Sequence, residues 1–459
     1  MSRETSEHFN SWLEVEQARR LERTADLVFA SHPEYRLRFR QLGIERGDIA
    51  RVSDLSALPV TRKRDYADNP DGYRLHAGDM PTVSTPEATI AQVVYTTGST
   101  SGQPVPFYDT NYDLAARIHQ MMAMTINAGI TRHDVILNLF PMTAVLHQGF
   151  LSAMYGGSAV GAKVVSGFTG KPSTPFDIYR DSDYVRSLVR EHQPTVIWGI
   201  TGYVRRIIAD LASRGDDLSF LRTLVVAGEA CPSPMRQALR ASAREGGAAD
   251  VVVQNLYGFT EMQGPGFECM EEGPVHIPDP ERNHIEILDP LSHEPLPDGQ
   301  TGLVALSHLD RRGTVLWRYL VGDKSSLERD RCSRCGRSGP RFTSPPARVD
   351  DLVKIRGTLV NPSQLVEQLR SQGGVQDLRI TFELGRDGQG LERERVLVDV
   401  IADASGDTQN LLTDLAMLTK RVCELTPEVR MADEELLSEH ARAYKFRRFR
   451  DLRDDGPAS

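Results

Sequence analysis

A chain of 459 residues with 40% hydrophobic and 25% charged residues is too long for one ordinary core and has the balance of a folded protein built from a large domain and a smaller one. Lys and Arg number 54 against 63 Asp and Glu, a formal charge of −9, so nucleic acid is not an expected partner; only the tail KFRRFRDLRDD is basic. The charged start MSRETSEHFNSWLEVEQARRLER lacks the apolar run of a secretory leader, no window nears eighteen uninterrupted apolar residues, and five cysteines do not make a disulfide scaffold; these features predict a cytoplasmic protein with no membrane association.

Residues 1 to 90 read as amphipathic helices and loops, with SDLSALPVTRKRDYADN as a docking segment ahead of the first strand. From about residue 91 apolar strands alternate with helices. The strand QVVYTT is followed by a Gly/Ser/Thr loop, the helix NYDLAARIHQMMAMTINAG, the strand DVILNLF and the Gly-rich GFLSAMYGGSAVGAKVV; PTVIWGI, LRTLVVAGE and DVVVQNLYG then come with helices between them. That alternation predicts parallel βαβ construction. After about residue 280, HIEILDP, TGLVALSHL and TVLWRYLVGD are joined by Pro, Gly and Asp turns and predict an antiparallel β portion. The last hundred residues alternate DLVKIRG, NPSQLVEQLRSQ, DLRITFEL, RVLVDVIAD and LLTDLAMLTKRVCELT, a compact α+β module. The expected fold is therefore α/β. A large domain over 1–348 holds the parallel α/β sheets and the β portion, and a small α+β domain covers 349–459.

The loop YTTGSTSGQPVPF, residues 95 to 107, sets Thr96, Thr97, Ser99, Thr100 and Ser101 around Gly98 and Gly102 directly after an apolar strand. Backbone N–H groups and hydroxyls in such a loop can cradle a phosphate, with Gly allowing close approach; the same composition also serves a plain polar turn. It lacks the spacing and the Lys of a Walker loop. TTGSTSGQP resembles the ATP loop of the adenylate-forming superfamily, which includes acyl-CoA synthetases, luciferases and peptide-synthetase adenylation domains, and within it the phenylacetate-CoA ligase group. Members commonly end this loop in Gly-Lys-Pro, whereas this chain has Gly102, Gln103 and Pro104, one positive charge fewer beside the phosphates.

Further segments resemble the same superfamily in the same order. In QNLYGFTEMQGPGFEC the likeness implies that Tyr257 stacks on adenine, Gly258 lets the nucleotide lie close, Thr260 contacts the α-phosphate and Glu261 holds Mg²⁺. Independently, a carboxylate beside a phosphate site suits magnesium, which prefers oxygen donors; a Glu at a helix start also has a purely structural reason to be there. VVAGEACP resembles the turn lining the adenine pocket, with Gly228 and Glu229 at a predicted strand end, where ligands of open α/β sheets bind. WRYLVGD implies that Asp323 accepts hydrogen bonds from the ribose hydroxyls. ARVDDLVKIRG implies that Arg348 contacts ribose or phosphate and that Asp350 is a hinge making the small domain mobile. In AYKFRRFRD the likeness assigns Lys445 as the residue offsetting charge on the reacting carboxylate and α-phosphate, with Tyr444 where the family has Gly. The acid pocket would draw on Phe140, His147, Trp198 and Tyr203, although aromatic residues at strand ends more often simply pack in cores.

Cys332 and Cys335 stand at CxxC spacing in CSRCGRSGPR, and FECMEEGPVHI supplies Cys269 and His276 some sixty residues earlier. Three thiolates and one imidazole complete a closed tetrahedral set, so a structural Zn²⁺ is expected; members of the phenylacetate-CoA ligase group show a similar arrangement. The resemblance implies an AMP-forming acid–thiol ligase that uses ATP and Mg²⁺ to convert a small aromatic carboxylic acid to an acyl-adenylate and passes the acyl group to coenzyme A. Delivery to an acyl carrier protein or an amine is the alternative that Gln103 and Tyr444 keep open; a catalytically silent nucleotide-binding regulator is a second, from another class. Assembly as a homodimer is left open too.

Overall fold

A computed structural model describes residues 3–76, 87, 89–96, 104–141, 148–169, 181–348, 353–355, 358–386, 392–402, 408–442 and 446–453. The chain divides into two compact units, Met1–Ala347 and Arg348–Ser459, one residue before the division expected from the sequence.

The first unit opens with the helices Arg3–Ser31 and Pro33–Leu42. His32 separates them for a local reason. Its Nδ1 accepts from the Tyr35 N–H at 3.1 Å, capping the second helix, while Nε2 lies 3.1 Å from the carbonyl of Val315; a proline at the first helical position and Gly43 in the left-handed region complete the start and stop.

The central sheet has nine strands. Lys163–Ser166, Val135–Asn138, Val196–Ile200, Thr223–Ala227 and Val252–Tyr257 are parallel neighbours in that order. Strands buried on both faces must be apolar throughout, and VIWGI is buried at every position. The helix Thr201–Ser213 covers the sheet with Tyr203, Val204, Ile207, Ile208 and Leu211, one stripe at helical spacing. Each such side chain contributes roughly 1.5–3 kcal/mol by leaving water. Beyond Val252–Tyr257 the sheet continues antiparallel through Gly266–Glu268, Val275–His276, Arg341–Phe342 and Leu327–Glu328. A separate antiparallel sheet sets Asn283–Leu288, Gly302–His308 and Tyr319–Ser325 side by side.

The strand that enters the Gly/Ser/Thr loop differs from the βαβ expectation. Ile90–Tyr95 pairs antiparallel with Pro106–Thr110, Tyr95 opposite Pro106, so the loop joins two strands of a hairpin rather than a strand to a helix. Only after that hairpin does the helix Asn111–Asn127 begin, capped reciprocally by Thr110 and Asp113.

In the second unit Val375–Arg386 and Glu392–Ala402 form a long antiparallel pair, flanked in parallel by Phe449–Asp451 and Glu428–Met431. Leu378, Ile380 and Phe382 alternate into a core with Val396, Val398 and Val400, closed by Leu365, Leu369 and Leu415 from the helices Pro362–Arg370 and Thr408–Cys423. Among the described residues no helix is long and apolar enough to cross a membrane.

Candidate active site

The carboxyl ends of the parallel strands bring the predicted nucleotide residues into one region of the first unit. After Thr223–Ala227 the chain turns through Gly228, whose φ of +78° suits a residue without Cβ. Glu229 follows. Its carboxylate accepts the Gly202 N–H at 2.9 Å and its carbonyl accepts the Thr201 hydroxyl at 3.1 Å, so it caps the helix Thr201–Ser213 as an anion at a helix N-terminus.

After Val252–Tyr257, Gly258 runs close to Pro265; a Cβ there would meet it at 3.0 Å. The Tyr257 hydroxyl donates to Asp323 Oδ2 at 2.5 Å, linking the central sheet to the strand Tyr319–Ser325 across 66 residues of sequence. Its ring stands edge-on to Phe342 at 5.5 Å. Thr260 and Glu261 form the short 3-10 turn Thr260–Met262 and are both buried. The Tyr319 hydroxyl donates to Glu261 Oε1 at 2.7 Å, and His308 Nε2 lies 2.8 Å from the Glu261 carbonyl. Burial, helped by the Arg311 charge, pushes the His308 pKa well below the usual imidazole value, so that ring is neutral.

A buried polar network underlies this turn. Arg117 donates to Asp109 at 2.6 Å and to Gln263 at 2.9 Å, and Gln148 donates to the Gln263 carbonyl at 2.7 Å. The helices Asn111–Asn127 and Gln148–Ala159 are thereby tied to the residue that follows Met262.

Other predicted positions fall elsewhere. Thr96 closes the base of the hairpin loop: its N–H donates to the Val105 carbonyl and its Oγ1 accepts the Val105 N–H, both at 3.0 Å. Thr97, Gly98, Ser99, Thr100, Ser101, Gly102, His147, Asp350 and Lys445 lie outside the described residues. Arg348 ends the short strand Ala347–Arg348, exposed, in the second unit. Phe140 is buried, Tyr203 sits beneath the Arg206 guanidinium, 5.0 Å from its ring centroid, and Trp198 has no exposed surface. Trp198 is therefore a core side chain of the sheet.

The antiparallel extension gathers the cysteines. Cys269 follows Gly266–Glu268, His276 lies on Val275–His276, and Cys332 and Cys335 come from the loop before Arg341–Phe342. Their ligand atoms all lie within 4.8 Å of one another, with Cys269 Sγ 3.9 Å from Cys332 Sγ and Cys335 Sγ 3.5 Å from His276 Nε2. Burial, with the charges of Arg337 and Arg341, pushes His276 down to about 4, leaving a neutral ring able to donate a lone pair.

Sequence reasoning missed His308 and Tyr319. Both were in view: Tyr319 lies inside WRYLVGD and His308 ends the apolar run TGLVALSH. A polar side chain closing a buried strand was the available signal.

A parallel sheet with tyrosine, carboxylate and glycine groups at its carboxyl edge, extended by an antiparallel β portion and followed by a separate α+β unit, is the architecture of an adenylate-forming enzyme. Residues 25–308, well over half of the chain, match the AMP-binding enzyme family, and the chain belongs to that family. It is 29% identical over 359 residues to a phenylacetate-coenzyme A ligase of Thermus thermophilus, covering 76% of this chain and 73% of the relative. Against the phenylacetate-coenzyme A ligase of Escherichia coli it is 28% identical over 364 residues, with 78% and 76% covered. A crystal structure of 2-hydroxyisobutyryl-CoA ligase in the postadenylation state superposes with a TM-score of 0.75, covering 95% of this chain and 88% of that one at 21% identity, a likeness of fold.

Proposed function

We propose that this chain is an AMP-forming acid–thiol ligase acting on a small aromatic carboxylic acid. The carboxylate oxygen attacks the α-phosphorus of ATP and pyrophosphate departs, giving an acyl-adenylate. The sulfur of coenzyme A then attacks the acyl carbon, and AMP leaves as the thioester forms. The observation that carries this reading is the convergence of Tyr257, Glu261 and Asp323 at the carboxyl edge of the parallel sheet, tied together by the Tyr257–Asp323 and Tyr319–Glu261 hydrogen bonds. Likeness to phenylacetate-coenzyme A ligases over three quarters of the chain supports the acid and the thiol.

In this scheme the Tyr257 ring flanks the adenine, Gly258 keeps the backbone low, Thr260 contacts the α-phosphate, Asp323 holds the ribose hydroxyls and Arg348 contacts ribose or phosphate. Thr96, Thr97, Gly98, Ser99, Thr100, Ser101 and Gly102 bracket the outer phosphates. Lys445 supplies positive charge where the carboxylate and α-phosphate react. Glu261 is a buried oxygen donor and fits Mg²⁺, which when bound offsets phosphate charge. Phe140, His147 and Tyr203 line the acid. The Cys269, His276, Cys332 and Cys335 cluster holds a structural Zn²⁺. Tetrahedral Zn–S bonds of about 2.3 Å put two sulfurs roughly 3.8 Å apart, and Cys269 and Cys332 stand at 3.9 Å. With four protein ligands that ion takes no part in the chemistry.

ATP–pyrophosphate exchange with a panel of carboxylates, followed by mass analysis of products formed with coenzyme A, tests the reading. Exchange with an arylacetate or benzoate and a matching acyl-CoA is expected. Exchange without any coenzyme A thioester would transfer the proposal to another acceptor, and absence of exchange with every acid would end it.

A further inference from the structure

We propose that His308 and Tyr319 are positioning residues that set Glu261 for the metal–nucleotide complex; this rests on Glu261 being the Mg²⁺ ligand. Two adjacent strands converge on this one residue. Tyr319, buried at the start of Tyr319–Ser325, donates its hydroxyl to Glu261 Oε1 at 2.7 Å. His308 ends the neighbouring strand Gly302–His308. Its Nδ1 accepts the Leu316 N–H at 3.0 Å, which leaves the proton on Nε2, and that N–H donates to the Glu261 carbonyl 2.8 Å away. The side chain and the backbone of Glu261 are thus each held by a separate group.

The holders are themselves fixed. Tyr319 stands edge-on to Tyr66 at 6.2 Å, His308 edge-on to Phe107 at 5.9 Å, and the Trp317 indole donates to the His308 carbonyl at 2.9 Å. Glu261 Oε2 accepts no hydrogen bond from the described residues. One carboxylate oxygen is therefore committed to the protein and the other remains for a cation. Fixing a ligand before the metal arrives removes rotamer entropy from the binding step, and losing such an outer partner typically costs about 10–100-fold in metal affinity.

Mn²⁺ serves as the probe, with binding of Mn²⁺ to the protein–ATP complex followed by electron paramagnetic resonance in wild type, Tyr319→Phe, His308→Gln and Glu261→Gln. Circular dichroism melting checks that each variant folds. Tyr319→Phe keeps the ring and removes only the donor; Mn²⁺ affinity about 10-fold or more below wild type is expected, with ATP binding measured without metal unchanged. His308→Gln shifts it in the same direction, and it decides the matter if Tyr319→Phe fails to fold. If both variants bind Mn²⁺ like wild type while Glu261→Gln loses it, the positioning role is wrong. Undiminished binding by Glu261→Gln instead removes Glu261 as the ligand, and the proposal falls with its premise.

Discussion

Single charged residues in this protein are held by several partners at once. Asp134 is one such case, at the start of Val135–Asn138. Burial alone would raise its pKa, but the Arg222 guanidinium, the Thr131 N–H and the Thr195 hydroxyl outweigh that and hold it at about 2. A carboxyl whose pKa is depressed on folding adds stability above its unfolded value and loses it as pH falls through the folded one. The window runs from about pH 4 down to about 2. Arg222 is half-exposed, so solvent screens the pair, and roughly 1 kcal/mol is the expected size. Urea melts of wild type and Asp134→Asn at pH 6 and pH 3 check this. The gap between them should narrow at the lower pH, and a constant gap would show that the ionised form contributes nothing. Tyr257 and Asp323 illustrate the same point at the site: two groups assigned to adenine and to ribose are already joined to each other by the 2.5 Å hydrogen bond.

At the scale of elements, the parallel strands are ordinary and their antiparallel extension is not. Val275–His276 and Arg341–Phe342 have two residues each, too few for a ladder to hold by itself. Arg341 offsets part of this through Glu328 at 2.6 Å and Asp330 at 2.5 Å, and the Cys/His cluster at the same strands supplies the remainder under the zinc reading. Cys332→Ser should release about one equivalent of zinc and lower the melting temperature, and a chelator should reproduce the drop in wild type. Metal analysis showing no zinc in wild type would leave these strands to hydrogen bonds and ion pairs. The hairpin around the Gly/Ser/Thr loop carries a parallel lesson: closing it with Thr96 and Val105 fixes both ends of the loop at one place.

Over the whole molecule, the proposed chemistry is divided between the two units, with Tyr257, Glu261 and Asp323 in Met1–Ala347 and Lys445 in Arg348–Ser459. The division predicts separable half-reactions. Lys445→Ala should lower ATP–pyrophosphate exchange by about 10²–10³-fold, while conversion of supplied acyl-adenylate and coenzyme A to thioester stays near wild type. Equal loss of both half-reactions would argue for a general structural role of that residue. Within the second unit Asp377 accepts from Arg448 at 2.8 Å and lies 3.1 Å from His440 Nε2, so the helix Glu434–Arg442 and the residue leading into the strand Phe449–Asp451 share one buried anchor.

The sequence by itself determined most of the alternation of strands and helices, the β portion and the α+β module, and it carried the short motifs whose family likeness marks the proposed nucleotide residues, because periodicity and short motifs are local properties of the chain. It also held the four zinc candidates, through their spacing. Tertiary structure alone decided that the Gly/Ser/Thr loop spans a hairpin, that Trp198 belongs to the core, and that Glu261 is held by Tyr319 and His308, which lie 58 and 47 residues away in sequence. Strand register brings such residues together, and register is set by packing across the sheet rather than by any pattern within one strand.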